Sequence, residues 1–152
     1  MKMRGFFEVK ANAKKQSVAA IMPKRATKNS AGYDFYSPVD TVVKAHQMQM
    51  IWTDIKSQFN QDEVLLLCVT SGMGKYGIML ANTLGVIDSD YFENENNDGN
   101  IGFRLYNFSD DDYVIKAGDK IGQGIFTKFL TVDNEEQITE TRKGGFGSTV
   151  KK

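Results

Sequence analysis

Apolar and β-branched residues fall in short runs along the chain, and glycine, asparagine and aspartate separate them. Runs at Phe6–Val9, Thr41–Lys44, Gln49–Thr53, Val64–Thr70, Gly77–Leu80, Ile101–Phe108, Tyr113–Ile115 and Ile125–Leu130 predict strands. No long stretch carries a helical period; the residues around Gln58–Glu63 read as a short turn. Many short strands and no repeats predict an all-β sandwich or barrel. Two stretches break the pattern. Glu93–Asn100 (ENENNDGN) is polar and apolar-free, the composition of a hairpin tip or loop. Gln137–Lys152 is weakly apolar and expected to be mobile, yet it carries a phenylalanine between glycines that a solvated tail does not need.

Composition narrows the chemistry. The 152 residues fit one domain with an apolar core of useful size. Lys plus Arg and Asp plus Glu both number 19, so the net charge is zero and gives no reason to expect nucleic-acid binding. One cysteine and one histidine exclude an internal disulfide and a Cys/His zinc site. A metal, if used, is a hard cation held by carboxylates, water or substrate phosphates. Cys68 lies in an apolar run and is expected as a buried core thiol; His46 is expected at the surface. No run approaches the length of a membrane helix, and the basic N-terminus lacks an apolar follow-on. A soluble protein of the cytoplasm is the expectation.

Several segments carry candidate chemistry. In GVIDSDY, Gly85–Tyr91, an apolar strand runs into two carboxylates and a tyrosine. Alone this suits a solvated strand end. A carboxylate of ordinary acidity is ionised at neutral pH and accepts a proton from water, which makes Asp88 a candidate base. In GGFGST, Gly144–Thr149, successive glycines expose backbone N–H groups, Ser148 and Thr149 add hydroxyls, and Arg142 adds charge. That composition suits phosphate, with Phe146 free to stack on a base. SGMGKYG, Ser71–Gly77, is not a Walker loop: the glycine-to-lysine spacing is short, and Tyr76 stands where a magnesium-binding hydroxyl belongs. AGYDFYS, Ala31–Ser37, and AGDKIGQ, Ala117–Gln123, each read as a turn followed by a strand.

Taken in order, these segments resemble the five motifs of the homotrimeric dUTPase family. AGYDFYS resembles the first, and Thr70–Gly77 stands at the second. ANTLGVIDSDY, Ala81–Tyr91, is close to the third. AGDKIGQ resembles the fourth and RKGGFGST, Arg142–Thr149, the fifth. The match runs from about Pro23 to Thr149, and the long Asn/Glu-rich hairpin resembles phage and Gram-positive members.

The resemblance implies a jelly-roll β-barrel over residues 1–136, followed by a flexible C-terminal arm, 137–152. It implies a homotrimer whose interface sites each draw on more than one chain, the arm of one subunit reaching a neighbour's site and closing over bound nucleotide. The implied reaction is Mg2+-assisted hydrolysis of dUTP to dUMP and pyrophosphate, in the cytoplasm of a bacterium or a phage-infected host. Carried onto this sequence, Asp88 orients the attacking water and Asp34 holds the metal through water. Asn82 and Gly85 lie near the nucleoside. Tyr91 packs on the deoxyribose and excludes a 2′-hydroxyl. Gly102 reads uracil through its backbone. Thr70, Ser71, Gly72 and Gln123 take phosphate-contact positions. Phe146 and Gly147 close over uracil, and Arg142, Ser148 and Thr149 hold the outer phosphates.

The second motif departs from the family. Its usual Arg-Ser falls on Val69-Thr70, or on Thr70-Ser71 with a one-residue gap, so the arginine is absent either way. Losing a donor of that kind costs about 2–4 kcal/mol of transition-state stabilisation. Lys75 and Arg104 are the candidate substitutes. The fourth motif carries Lys120 for a frequent arginine and Gly122 for a frequent alanine. Two other readings follow: a weakly active relative that acts as a nucleotide-gated regulator of a partner protein, and a dCTP deaminase on the same fold. The Asp88–Tyr91 pair and the GGFGST arm speak against the deaminase.

Overall fold

The computed structural model describes residues 4–147. Twelve strands make up almost all of its regular structure. In chain order they are β1 (Gly5–Glu8), β2 (Lys24–Arg25), β3 (Tyr33–Tyr36), β4 (Thr41–Val43), β5 (Met48–Trp52) and β6 (Ile55–Gln58). There follow β7 (Glu63–Cys68), β8 (Ile78–Leu80), β9 (Gly85–Asp88), β10 (Gly102–Asn107), β11 (Tyr113–Ile115) and β12 (Lys120–Lys128). A single helix, α1 (Ser71–Lys75), and two 3-10 turns at Ala11–Ala13 and Ser89–Tyr91 interrupt them.

The largest sheet has the order β2-β3-β12-β7-β9, and a second joins β5-β10-β8. Two-stranded pairs, β1-β6 and β11-β4, complete the barrel, and every pairing is antiparallel. This is the expected all-β, jelly-roll type of fold. Phe35, Leu65, Leu67, Ile101, Phe103, Leu105 and Ile121 fill the space between the sheets and are essentially inaccessible to water. Phe35 and Phe103 meet with ring centroids 5.2 Å apart. The ring of Phe103 lies against β12: a Cβ on Gly122 would fall 2.3 Å from its Cε1 and 2.8 Å from the Cys68 carbonyl oxygen. The alanine that the resemblance leads one to expect at this position does not fit beside Phe103.

Several expectations are corrected. The last strand starts at Lys120 and ends at Lys128, not at Leu130, which is 96% exposed. The strand foreseen over Val64–Thr70 stops at Cys68, because Thr70 instead caps α1, its hydroxyl accepting from the Met73 N–H. Gly72 and Gly74 disfavour a helix; burial of Met73 and the Thr70 cap outweigh them. Cys68 is only partly buried, since β7 reaches the rim of the core there. β6 was not foreseen: Lys56 and Ser57 look solvent-facing in sequence but are buried. Lys56 Nζ is matched by Glu93 and Asp98, each at 2.9 Å. His46 is exposed and bonds to Asp110 at 2.8 Å.

Glu93–Asn100 is a loop, as expected, but not a solvated one. Asn94, Asp98 and Asn100 are buried. No helix among the described residues is long and apolar enough to cross a membrane.

Candidate active site

The end of β9 and the start of β10 open onto a cavity of about 660 Å³, within the range usual for small-molecule sites. Eight of the expected residues line it together: Asn82, Gly85, Asp88, Tyr91 and Gly102 from the barrel, and Arg142, Phe146 and Gly147 from the arm. Pairing of β7 with β9 sets Asp88 opposite Val64, which places its half-exposed carboxylate at the mouth. Tyr91 is buried, and its ring forms part of the wall. Its hydroxyl donates to the Asn100 carbonyl and accepts from Asn97 Nδ2 at 2.8 Å. Burial pushes the phenol up to about 12, against the opposing effect of the Asn97 donor and of Arg142. The hydroxyl is therefore a neutral donor at every pH of interest.

The arm, residues 137–147, contains no strand or helix and folds back over the cavity of its own chain, where the resemblance implied a neighbour's site. Arg142 spans two carboxylates: Nη2 donates to Asp88 at 2.5 Å and Nε to Asp90 at 2.7 Å. Phe146 meets Trp52 edge-on at 5.1 Å and Tyr91 at 6.1 Å between centroids. Close approach depends on the glycines. A Cβ on Gly145 would fall 2.4 Å from Tyr91 Cε2, and one on Gly144 would fall 2.2 Å from Asn96 Nδ2. The chain from Lys128 to Arg142 spans up to about 46 Å when extended, enough for its own cavity or a neighbour's. Gly147 also lines the cavity; Ser148 and Thr149 lie outside the described residues.

The other expected residues gather elsewhere. Asp34 on β3 is paired in register with Gln123 on β12, which is paired with Cys68 on β7. Just beyond Cys68 come Thr70, Ser71 and Gly72, so these five share one end of the large sheet. None of them lines the cavity. Three inter-strand steps of about 4.8 Å and four residues of about 3.3 Å along β7 put Asp34 roughly 20 Å from Asp88 within one chain. Asp34 is buried, and its Oδ2 lies 3.0 Å from Lys120 Nζ. That contact is an ion pair, and the oxygen has no directed hydrogen bond among the described residues. Lys120 in turn is raised above its ordinary value by its pairing with the Asp34 carboxylate. Of the two hydroxyls, that of Thr70 is taken by its cap, while Ser71 is exposed. Of the two candidate substitutes for the missing arginine, Arg104 lines the cavity; Lys75 sits exposed on α1 and does not.

Sequence reasoning missed Trp52, which backs Phe146, and Asp90, which shares Arg142 with Asp88. The DSD spacing of the third motif could have signalled Asp90. Nothing local signals Trp52, because its place at the site follows from the pairing of Trp52 with Gly102.

The dUTPase family model matches residues 19–150. A deoxyuridine 5′-triphosphate nucleotidohydrolase from Lactococcus lactis is 38% identical over 151 residues, covering 98% of this chain and 99% of that protein. The crystal structure of a dUTPase from Streptococcus mutans aligns with a TM-score of 0.72 and 35% identity, over 86% of this chain and 99% of that one. A mutant dUTPase from phage phi11 of S. aureus, in which a structural Mg(II) ion is coordinated, aligns with a TM-score of 0.69 at 22% identity, over 91% and 97%. At that identity it speaks for the fold alone.

Proposed function

The chain belongs to the dUTPase family, and from that premise we propose that it hydrolyses dUTP to dUMP and pyrophosphate, with Asp88 orienting the water that attacks the α-phosphorus. One observation carries this reading: Asp88, Asn82, Tyr91 and Gly102, which the third motif and the hairpin after it separate in sequence, line one cavity of nucleoside size. Tyr91 forms the wall against the deoxyribose, the Gly102 backbone faces the uracil, and Phe146 covers the base from the arm. Asp88 accepts a proton from water as the oxygen attacks in line, and pyrophosphate leaves from the opposite side. Positioning and charge do most of the catalysis in such a displacement. Arg142, within hydrogen-bond reach of Asp88 in the free chain, is within reach of a phosphate bound beside that acid. It exchanges carboxylates for phosphate when substrate enters.

Magnesium fits the residues present in one manner only. No group of three acidic, histidine or cysteine side chains able to hold a metal occurs among the described residues. Asp34 keeps a buried carboxylate oxygen held, among the described residues, by one ion pair and no hydrogen bond. That suits a hydrated hard cation carried mainly by phosphate oxygens and met through water by Asp34. When bound, such a cation neutralises the triphosphate and stabilises the leaving pyrophosphate.

The phosphate residues and Asp88 are too far apart for one triphosphate to touch both within a chain. The working site therefore pairs the cavity of one chain with Asp34, Ser71 and Gln123 of another, in a homotrimer. Exposed apolar side chains outside the core, among them Met48, Val86, Val114, Leu130 and Val132, supply surface for such contacts.

The test is pyrophosphate release from dUTP, dCTP, dTTP and UTP with magnesium, for wild type and Asp88→Asn. Release from dUTP alone, abolished by the substitution, supports the reading. Tight dUTP binding without release from any nucleotide overturns the enzyme and leaves a nucleotide-gated regulator. Ammonia release from dCTP would make the chain a deaminase.

A further inference from the structure

The loop between Tyr91 and Gly102 holds the most densely bonded polar cluster of the described residues. Asn94 accepts the Asn96 and Asn97 N–H groups through Oδ1, at 3.0 and 3.1 Å. Backbone N–H groups only donate, so this fixes which way the amide points. Its Nδ2 then donates to the Tyr91 carbonyl and to Asn97 Oδ1, each at 2.8 Å. Asn97 Oδ1 also accepts the Gly99 N–H at 3.1 Å. The Asn97 amide is thereby oriented too, and its Nδ2 has a single acceptor in reach, the Tyr91 hydroxyl at 2.8 Å. Two asparagines thus grip the backbone and the far end of the same tyrosine.

The grip is itself anchored. Glu93, Asp98 and Gly99 adopt positive φ, a tight path held by outside bonds. Lys56 Nζ ties Glu93 to Asp98, and the Lys10 N–H donates to Asp98 at 2.8 Å. Asn100, fully buried, bonds in both directions with Asp54. Asn96 packs on the arm at Gly144. A solvated hairpin tip needs none of this.

We propose that this loop is a specificity brace: Asn97, oriented by Asn94, fixes the Tyr91 ring through its hydroxyl and so sets how strongly the site rejects a ribonucleotide. The inference rests on the reading of Tyr91 as the wall against the deoxyribose. The Tyr91 hydroxyl also donates to the Asn100 carbonyl, and a ring tethered there by that one bond can pivot aside for one extra oxygen. A ring whose hydroxyl is held from two sides cannot, and steric exclusion is only as strong as the wall is stiff. Asn97 touches no substrate; it is a positioning residue.

The test compares kcat/KM for dUTP and UTP in wild type, Asn97→Ala, Tyr91→Phe and the double variant. Asn97→Ala lowers the dUTP-to-UTP preference about tenfold, chiefly through better use of UTP. Tyr91→Phe lowers it at least as far, since it removes the bond from Asn97 and the bond to the Asn100 carbonyl together, and the double variant loses no more than Tyr91→Phe alone, because the Asn97 bond is already gone there. Tyr91→Phe leaves the Asn94 and Gly99 bonds of Asn97 in place and serves as the test if the alanine variant fails to fold. An unchanged preference, with both nucleotides slowed alike, overturns the proposal and leaves the loop a stability element. So does an Asn97→Ala effect that persists in full on top of Tyr91→Phe. Wild type without dUTP hydrolysis fails the functional reading and takes the brace with it; an active wild type with an indifferent preference fails the brace alone.

Discussion

The cavity beside β9 and the sheet end at Asp34 are built from similar residue types, yet they differ in how complete they are. The cavity has walls, a floor and a cover within one chain. Tyr91 is bonded at both ends, Asp88 is matched by Arg142, and Phe146 packs on Trp52. The Asp34 end has a buried carboxylate with one lysine partner, a free serine hydroxyl and a glutamine, and no enclosing wall among the described residues. A nucleoside needs enclosure, because discrimination of base and sugar depends on excluded volume and satisfied backbone bonds. A triphosphate and its cation bring their own charge and water, so an open set of polar groups suffices until another surface covers it.

Asp88→Asn strikes the cavity hardest. Pyrophosphate release from dUTP is expected to fall about a thousandfold while dUTP binding persists, as equilibrium titration would show. A fall in binding alone would mean that Asp88 holds the nucleotide and does not activate water. Gly145→Ala probes the cover. The added Cβ meets Tyr91, so the arm cannot seat, and kcat/KM drops about tenfold to a hundredfold with an unchanged Tm. Trp52, the single tryptophan, lies 5.1 Å from Phe146 and reports that seating directly. Its fluorescence is expected to differ between wild type and Gly145→Ala in the absence of nucleotide, and identical spectra would place the arm elsewhere.

The smallest expected effect lies outside both regions. Arg4 donates twice to Glu63, at 2.8 Å each, and these bonds hold that carboxyl down at about 2 against the upward push of burial, with help from Asn60. A carboxyl depressed in the folded state stabilises the fold above its ordinary value near 4.5 and loses that contribution as pH falls toward 2. Arg4→Ala is therefore less stable than wild type at pH 7, and the gap in Tm narrows between pH 4.5 and 2. Activity per folded molecule at pH 7 is unchanged. A gap that is constant with pH would assign the contact to packing.

Much of the architecture was legible from periodicity. Runs such as Thr41–Lys44 and Tyr113–Ile115 became β4 and β11 almost residue for residue. What stayed hidden depends on partners distant in sequence. β6 was obscured by Lys56, whose burial makes sense only with Asp98 beside it. The polar stretch Glu93–Asn100 read only as a hairpin tip or loop; that its asparagines satisfy one another inside the fold has no signature in composition. The site divided in the same way. The motif order named Asp88, Tyr91 and Asp34 alike, but only the strand order β3-β12-β7-β9 reveals that three inter-strand steps separate Asp34 from Asp88. Trp52 reached the site through pairing with Gly102, which no local pattern encodes.

The most direct test of a site completed between chains is to mix two disabled variants. Asp88→Asn removes the acid from the cavity and Asp34→Asn removes the carboxylate from the sheet end; each alone is expected to release little pyrophosphate from dUTP. Co-refolded at equal ratio, random trimers place an intact cavity beside an intact phosphate surface in about a quarter of sites, so activity should return to about a quarter of wild type. Activity no greater than the sum of the two variants would contradict the account and confine catalysis to residues of a single chain.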